Sequence, residues 1–497
     1  MKVVIIGAGL AGLATAISLA AKKHDVTILE QGPRVGGKLN LREHEGFQFD
    51  TGPSILTMPW VLEKLYQEAG RNLADYLTLV RVKPEWRGFW PDGSTIDMDA
   101  DFVKMHDAIT TFGANGQQDL LAYLDHAKKL YDLTEKGFYS STIRHLGDLR
   151  KKHSLRELLA MNPTRSVHQN TQRYFRDEKL QQLFDFLVMY VGSSPYDAPA
   201  VLSQLGHVQL GLGVWYVEGG LYQIARAHEK LLQELGVTIH LNTKIAKIET
   251  KNDQAVGVLT EEGEHYAADA VVCNLEAITA WRTLLKDHPK REAVVATESK
   301  FSPSVSGLVF LLGVDRQYEQ LAHHNFFFSK EPQKEFDQVF HDQVPADDPT
   351  IYIGVSARSD PTQAPQGKDN LFVLTHVPPL LPGETFSTME KRYREIVMKK
   401  LMRMGLTDLD QHVQWSYTFT PDDLHALYGA NGGSIYGVVS DRKKNGGFKI
   451  ANESPDIEHL YFVGGSTHPG GGVPMVTLSG LLTAQTMQDR LETAVRR

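Results

Sequence analysis

Val3-Val4-Ile5-Ile6 is an unbroken β-branched run that stops at Gly7, and the residues from Leu10 to Ala21 are apolar or small throughout. A short apolar run ended by glycine is the pattern of a strand buried on both faces. The polar stretch Lys22-Lys23-His24-Asp25 follows, and a second run, Val26-Thr27-Ile28-Leu29, ends at Glu30. Strand, glycine turn, helix and strand predict a βαβ unit. The stretch from Val3 to Ala21 also has the hydropathy of a signal peptide or a membrane span. The glycines at fixed offsets inside it, and the return into a second strand, favour the βαβ unit. No other segment approaches the roughly 20 clean apolar residues of a spanning helix.

Further along, residues 55–80 carry a helical pattern, and Pro84, Trp86, Trp90 and Pro91-Asp92-Gly93 read as strands and a turn. Residues 101–190 are mostly helical in pattern. A helix is predicted from Leu221 to Leu235, capped by Gly236, followed by the strand Val237–His240. Two strands are predicted near 246–248 and 255–259, and a buried one at Ala270–Asn274. Strands and helices alternate over 300–435 with many aromatics, and Leu460–Val463 is a last strand before a glycine-rich loop and a final helix. An α/β chain results. Its nucleotide-binding domain is discontinuous, from 1–85, 216–295 and 436–497. A helical insert, 86–215, faces substrate or membrane, and 296–435 forms a mixed-sheet substrate domain.

Composition narrows the class. The chain has 497 residues, 42% hydrophobic and 23% charged, with a net charge of −8. That is an ordinary globular composition, and a mildly acidic chain argues against general nucleic-acid binding. Cys273 is the only cysteine, so an intrachain disulfide and a thiolate metal cluster are both excluded. That usage suits a reducing, cytoplasmic setting. Cys273 sits in a buried-strand pattern and reads as core.

The candidate chemistry lies at the two chain ends. Gly7-Ala8-Gly9-Leu10-Ala11-Gly12 matches G-x-G-x-x-G. The first glycine allows a tight turn, the second a close pyrophosphate, and the third close packing of helix on strand. The phosphates then face the N-terminus of the helix. Glu30 ends the second strand, where a carboxylate accepts from ribose hydroxyls and repels a 2′-phosphate. Near the other end, Gly464-Gly465 and Gly470-Gly471-Gly472 precede Val473-Pro474-Met475. Consecutive glycines let a flat ring lie on bare backbone, and a following helix start directs N–H groups at it.

Two features stay open. Arg144, Arg150, Lys151, Lys152, Arg156, Arg165, Arg173 and Arg176 form a basic run with Leu146, Leu149, Leu155, Leu158 and Leu159 among them. Such a mix suits an anionic membrane surface, and equally a solvated face over an ordinary core. His323-His324 could suggest a metal, but neighbours in a strand face opposite ways. One surface residue and one buried residue are expected, and no metal site.

Arg34-Val35-Gly36-Gly37-Lys38 and Asp50-Thr51-Gly52-Pro53-Ser54 extend the fingerprint beyond a nicotinamide pattern. With Trp215–Gly220 and Gly464–Gly480 they resemble, over nearly the whole chain, the bacterial carotenoid desaturase-type flavoproteins of the amine oxidase superfamily. The forms of His324–Phe328, Tyr436–Lys444 and the terminal motif are more similar to the 4,4′-diaponeurosporene oxygenase branch than to the dehydrosqualene desaturase branch. Thr467-His468 and Val473 take the desaturase form. The resemblance implies a Rossmann-like FAD-binding domain of amine-oxidase (GR2) type. It also implies FAD-dependent oxidation of a C30 carotenoid with O2, at a membrane surface reached peripherally. It carries over Gln31, Lys244, Ile245 and Asn274 as further cofactor residues. No catalytic side chain is implied, the polyene having no group that needs a strong acid or base, and His323 and His324 remain weak candidates. Desaturation is the runner-up. A flavin amine oxidase is disfavoured by the absence of a C-terminal cysteine and by the Gly470–Gly472 run. A prenyl-escort protein is disfavoured by intact flavin motifs. Nothing in the sequence sets an oligomeric state.

Overall fold

The computed structural model describes residues 1–113, 116–143 and 145–495. Arg144 of the basic run lies outside them, as does the side chain of Leu146.

The first βαβ unit forms as the pattern predicts: β1 (Lys2–Ile6), α1 (Leu10–Ala21) and β2 (Asp25–Leu29). Three later strands join the same sheet: β3 (Thr238–His240), β4 (Ala270–Cys273) and β5 (Leu460–Phe462). The order is β5-β4-β1-β2-β3, and every pairing is parallel. The central strand therefore has both faces covered, and Val3, Val4 and Ile5 have no exposed surface. That explains the unalternating apolar run. The final helix, α2 (Val473–Val495), packs along α1. Gly480 allows the approach: a Cβ there would stand 2.6 Å from the Ala11 carbonyl oxygen.

A second sheet has seven strands, in the order Val413–Phe419, Ser306–Val314, Asp369–Val377, Ile351–Gly354, His324–Phe327, Trp86–Phe89, Thr95–Met98. Only His324–Phe327 against Trp86–Phe89 is parallel. Its two faces feed different cores. Phe310, Leu312 and Val373 pack with Tyr393, Val397 and Leu401 of the helix Glu390–Arg403. The alternate residues Val309, Phe326, Tyr352 and Phe372 belong to the core shared with the rest of the molecule.

Residues 86–98 hold two strands of this sheet, in keeping with the strands and turn read around Trp86 and Trp90, and the helices of the expected insert come after them. Rings seat the strands there: Phe89 stacks on Phe327 at 4.6 Å and Trp86 lies over Phe326 at 4.0 Å. Offset ring pairs of this kind add to the burial of large apolar surface. The helices begin after that, with Phe102–Thr110 and Gly116–Gly137, and continue through Glu178–Asp185. No helix of the described residues is long and apolar enough to cross a membrane.

Candidate functional site

A cleft of 580 Å³ runs along the carboxyl ends of β1 and β2, where ligands of open parallel sheets sit. Its floor is backbone. The Gly7 N–H donates to the Leu29 carbonyl at 2.8 Å, holding the end of β1 against the end of β2 where the turn into α1 begins. A Cβ on Gly12 would stand 2.2 Å from the Gly7 carbonyl oxygen, and one on Gly9 would stand 2.6 Å from Asn274 Oδ1. The second glycine pair closes on the first: Gly36 N–H donates to the Ala8 carbonyl at 2.8 Å.

Two side chains set the polarity of this floor. The Glu30 carboxylate accepts from Ala8 N–H at 2.6 Å and Gly32 N–H at 2.7 Å. Asn274 straps three elements together. Its Oδ1 accepts from Gly12 N–H at 3.1 Å, its Nδ2 donates to the Val463 carbonyl at 3.0 Å, and its N–H donates to Ile6.

Most of the predicted cofactor residues line this cleft: Gly7, Gly9, Leu10, Ala11, Glu30, Gln31, Gly36, Gly37, Lys38, Pro53, Lys244, Ile245, Asn274, Gly464, Gly465, Gly472 and Val473. Ala8 and Gly12 hold the turn from behind through the contacts above. Gly52, Ser54, Pro474 and Met475 line a neighbouring cavity instead. They adjoin Pro53 and Val473, which line both, so the chain passes there between one space and the other.

That second cavity, of 210 Å³, shares Lys38, Pro53, Ile435, Gly471, Gly472 and Val473 with the cleft. Its walls are side chains. Val309, Phe326, Tyr352, Phe372, Leu374 and His376 come from the seven-stranded sheet, and Tyr139, Phe186, Met189, Tyr190 and Leu205 from the insert. Lys38 stands at the junction, donating to the Ser434 carbonyl at 2.7 Å. Burial pushes its pKa down to about 8, opposed by the negative charge of Glu276. Asp50, just ahead of this region, accepts from Leu221 N–H at 2.8 Å and Tyr222 N–H at 2.9 Å. Burial raises its pKa to about 6, against those two hydrogen bonds.

The expectation for the histidine pair fails in part. His323 is not a surface residue: both rings are buried, at 5% and 0% exposure, because both faces of the sheet are covered there. His323 Nδ1 pairs with Ser359 Oγ at 2.6 Å and His324 Nδ1 with Tyr352 Oη at 2.8 Å. Neither lines the cleft or the cavity; His324 sits one layer behind, against Tyr352. No group of metal-ligating side chains is present among the described residues. Cys273 is fully buried, and burial pushes its thiol up to about 12, as a core residue.

Residue reading missed several groups. Trp86 Nε1 donates to Tyr190 Oη at 3.0 Å, and that hydroxyl donates to Gln209 Oε1 at 2.6 Å. His376 was missed as well, though Phe372, Leu374 and His376 follow the period of two that places them on one strand face. Lys449 lies behind the glycine loop, where a Cβ on Gly470 would meet its Cε at 3.1 Å.

The bare glycine floor, the carboxylate at the end of β2 and the N-terminus of α1 together fit a dinucleotide. The Gly470–Gly472 loop and the start of α2 fit a flat ring beside it. The sequence model for flavin containing amine oxidoreductases matches residues 10–488. The chain belongs to that family. Its cofactor is FAD, and it is an FAD-dependent oxidoreductase. A 4,4′-diapolycopene oxygenase of Methylomonas sp is 45% identical over 483 residues, covering 97% of each chain. A 4,4′-diaponeurosporene oxygenase of Staphylococcus haemolyticus is 43% identical, covering 96% of this chain and 95% of its own. Among solved structures, an oxidoreductase from Methanosarcina mazei superposes with a TM-score of 0.67 at 18% identity, covering 98% of this chain and all of its own. A putrescine oxidase variant gives 0.63 at 14% identity, covering 98% and 99%. At these identities the two structures speak for the fold.

Proposed function

We propose that this flavoprotein oxidises the terminal methyl groups of a C30 carotenoid to aldehydes, with O2 as the oxidant and the source of the aldehyde oxygen, the other oxygen atom leaving as water. The observation that carries the reading is the apolar, aromatic-walled cavity that shares a wall with the cofactor cleft, in a chain this similar to relatives named for that oxidation. FAD, when bound, supplies hydride acceptance. The chain supplies position and dryness. Gly7 and Gly9 with Glu30 would hold pyrophosphate and ribose, Gly12 keeping the turn behind them closed. Lys244 and Ile245 would flank the adenosine end. Gly471, Gly472 and the first N–H groups of α2 would face the ring, and Lys38 adds positive charge at the junction. Aromatic side chains exclude water from the cavity, and no acid or base is needed to grip a hydrocarbon.

The discontinuous domain division is part of the same proposal, with the insert now beginning after Met98. So is docking on an anionic membrane surface. Val103, Leu121, Leu155 and Leu159 of the insert are large apolar side chains that are mostly exposed, Leu155 at 69% and Leu159 at 62%. Leu155 and Leu159 share one face of the helix Leu155–Ala160. Arg150, Lys151, Lys152 and Arg156 beside them are exposed. Leucines that insert and cations that meet lipid phosphate make a peripheral anchor. The same insert lines the cavity, so the anchor and the substrate space belong to one segment. Leu155→Asp with Leu159→Asp should reduce co-sedimentation with phosphatidylglycerol vesicles about tenfold and leave thermal stability unchanged. Undiminished sedimentation would remove this face from the proposal.

The function itself is tested by expressing the chain in cells that make 4,4′-diaponeurosporene and weighing the pigments. A terminal aldehyde supports the reading. Loss of two hydrogens without oxygen gain would make the chain a desaturase instead.

A further inference from the structure

His376 is the one imidazole on the wall of the second cavity among the described residues. It lies near the end of the strand Asp369–Val377, on the face it shares with Phe372 and Leu374. Its partner across the ladder is Gly307. A Cβ on Gly307 would come 3.7 Å from Ile435 Cγ2, and Ile435 lines both the cavity and the cofactor cleft. The histidine therefore stands on the sheet wall of the cavity, beside apolar Phe372 and Leu374, with its ladder partner next to a residue that borders the cofactor cleft.

Its ring is left without a hydrogen-bonding role. The Nε2 is buried with no partner among the described residues. Burial alone depresses its pKa, to about 3, with no neighbouring charge or hydrogen bond contributing, so the ring is neutral. A neutral imidazole carries one donor and one acceptor nitrogen. Leaving Nε2 desolvated and unpaired is costly, and buried polar groups are as a rule paired. His376 is half-buried, and it differs from the histidines around it in having no partner on either nitrogen among the described residues: His324 and His468 each leave one nitrogen unpaired but pair the other, with Tyr352 and with the Phe138 and Ser141 carbonyls, and His323 pairs with Ser359.

We propose that His376 is the subsite for the oxygen atom of a terminally oxygenated polyene, the alcohol or aldehyde end group. A hydrocarbon terminus offers the ring nothing. A primary alcohol both donates and accepts, and an aldehyde accepts, so either can pair with a ring nitrogen that the protein leaves unpaired. The consequence is retention. A chain whose methyl has gained its first oxygen is held at the junction in place of the unoxidised hydrocarbon, and is carried on to the aldehyde before release. This inference rests on the proposed terminal-methyl oxidation.

The test compares the FAD-loaded wild type with His376→Phe and His376→Gln, in detergent, by the change in flavin absorbance on titration. The probes are 4,4′-diaponeurosporene and its terminal primary alcohol. Wild type should bind the alcohol about tenfold more tightly than the hydrocarbon, the worth of one hydrogen bond to a buried group. His376→Phe should bind the two alike, with hydrocarbon affinity and flavin content kept, and should release alcohol among its pigments. His376→Gln, which can donate and accept, should restore most of the preference. A tenfold preference that survives in His376→Phe overturns the proposal, and so does a wild type that binds both probes equally. A wild type that binds neither polyene sinks the reading of the substrate itself, and is told apart from those results by the absent hydrocarbon signal.

Discussion

The cofactor cleft and the substrate cavity share a wall and are built on opposite plans. The cleft is floored by backbone drawn from the two ends of the chain and the β4 region. Glycine is its working residue, because a Cβ at several positions would collide with main-chain or strapping atoms. The cavity is walled by side chains from five strands of one sheet and from the insert. Its working residues are aromatic rings, several of them in tilted or edge contact with one another. A backbone surface tolerates no added atom, whereas a surface of packed rings can lose one and lean together. Substitution should therefore act as a switch in the cleft and as a dial in the cavity.

The largest effect should come from Gly12→Val. Its Cβ would lie 2.2 Å from the Gly7 carbonyl oxygen, and no rotamer relieves a clash with main chain. The purified protein should contain no flavin, read from its visible absorbance, or should fail to fold. A Gly12→Val protein of full yellow colour would break the comparison at its strongest point.

Phe326→Ala should give an intermediate effect on the other plan. Phe326 is 4% exposed and packs against Trp86 and Tyr352. Truncating a buried phenylalanine costs about 3 kcal/mol, less where the site already borders a space into which neighbours can relax. Denaturant unfolding should show a loss of about 2–3 kcal/mol, with flavin content intact and turnover reduced. Loss of flavin together with stability would mean that the two regions are not separable.

The same difference governs what the sequence discloses. Backbone demands are local, so G-x-G-x-x-G, Glu30, the Gly36-Gly37 pair and the Gly470–Gly472 run can be read directly, and the parallel sheet follows from its unalternating strands. Walls made of side chains are assembled from distant segments. Nothing around Trp86 announces that it will lie on Phe326, 240 positions later, so the first strands of the second sheet were assigned to the insert. His323-His324 drew notice as a pair, yet neither lines the cavity. His376, a lone histidine in an apolar strand, faces it. The alternation Phe372, Leu374, His376 was the available signal, and it needs knowledge of which face is the wall.

The smallest effect sharpens the comparison from behind the cleft. Lys449, 5% exposed, supports the glycine loop with its aliphatic stem and donates from Nζ to the Val438 carbonyl. Burial lowers its pKa from 10.5 to about 7. Between those values the unfolded chain binds the proton more readily than the folded one, so this lysine's contribution to stability rises with pH across that window and is least favourable below it. Lys449→Met keeps the stem and removes the charge, at the cost of one hydrogen bond. It should stabilise the protein at pH 7 by about 1 kcal/mol, and the gain should shrink toward pH 10. Thermal unfolding of both proteins at the two pH values measures it. A gain equal at both would mean that the ammonium is solvated in the folded state and that the loop stands on its backbone alone.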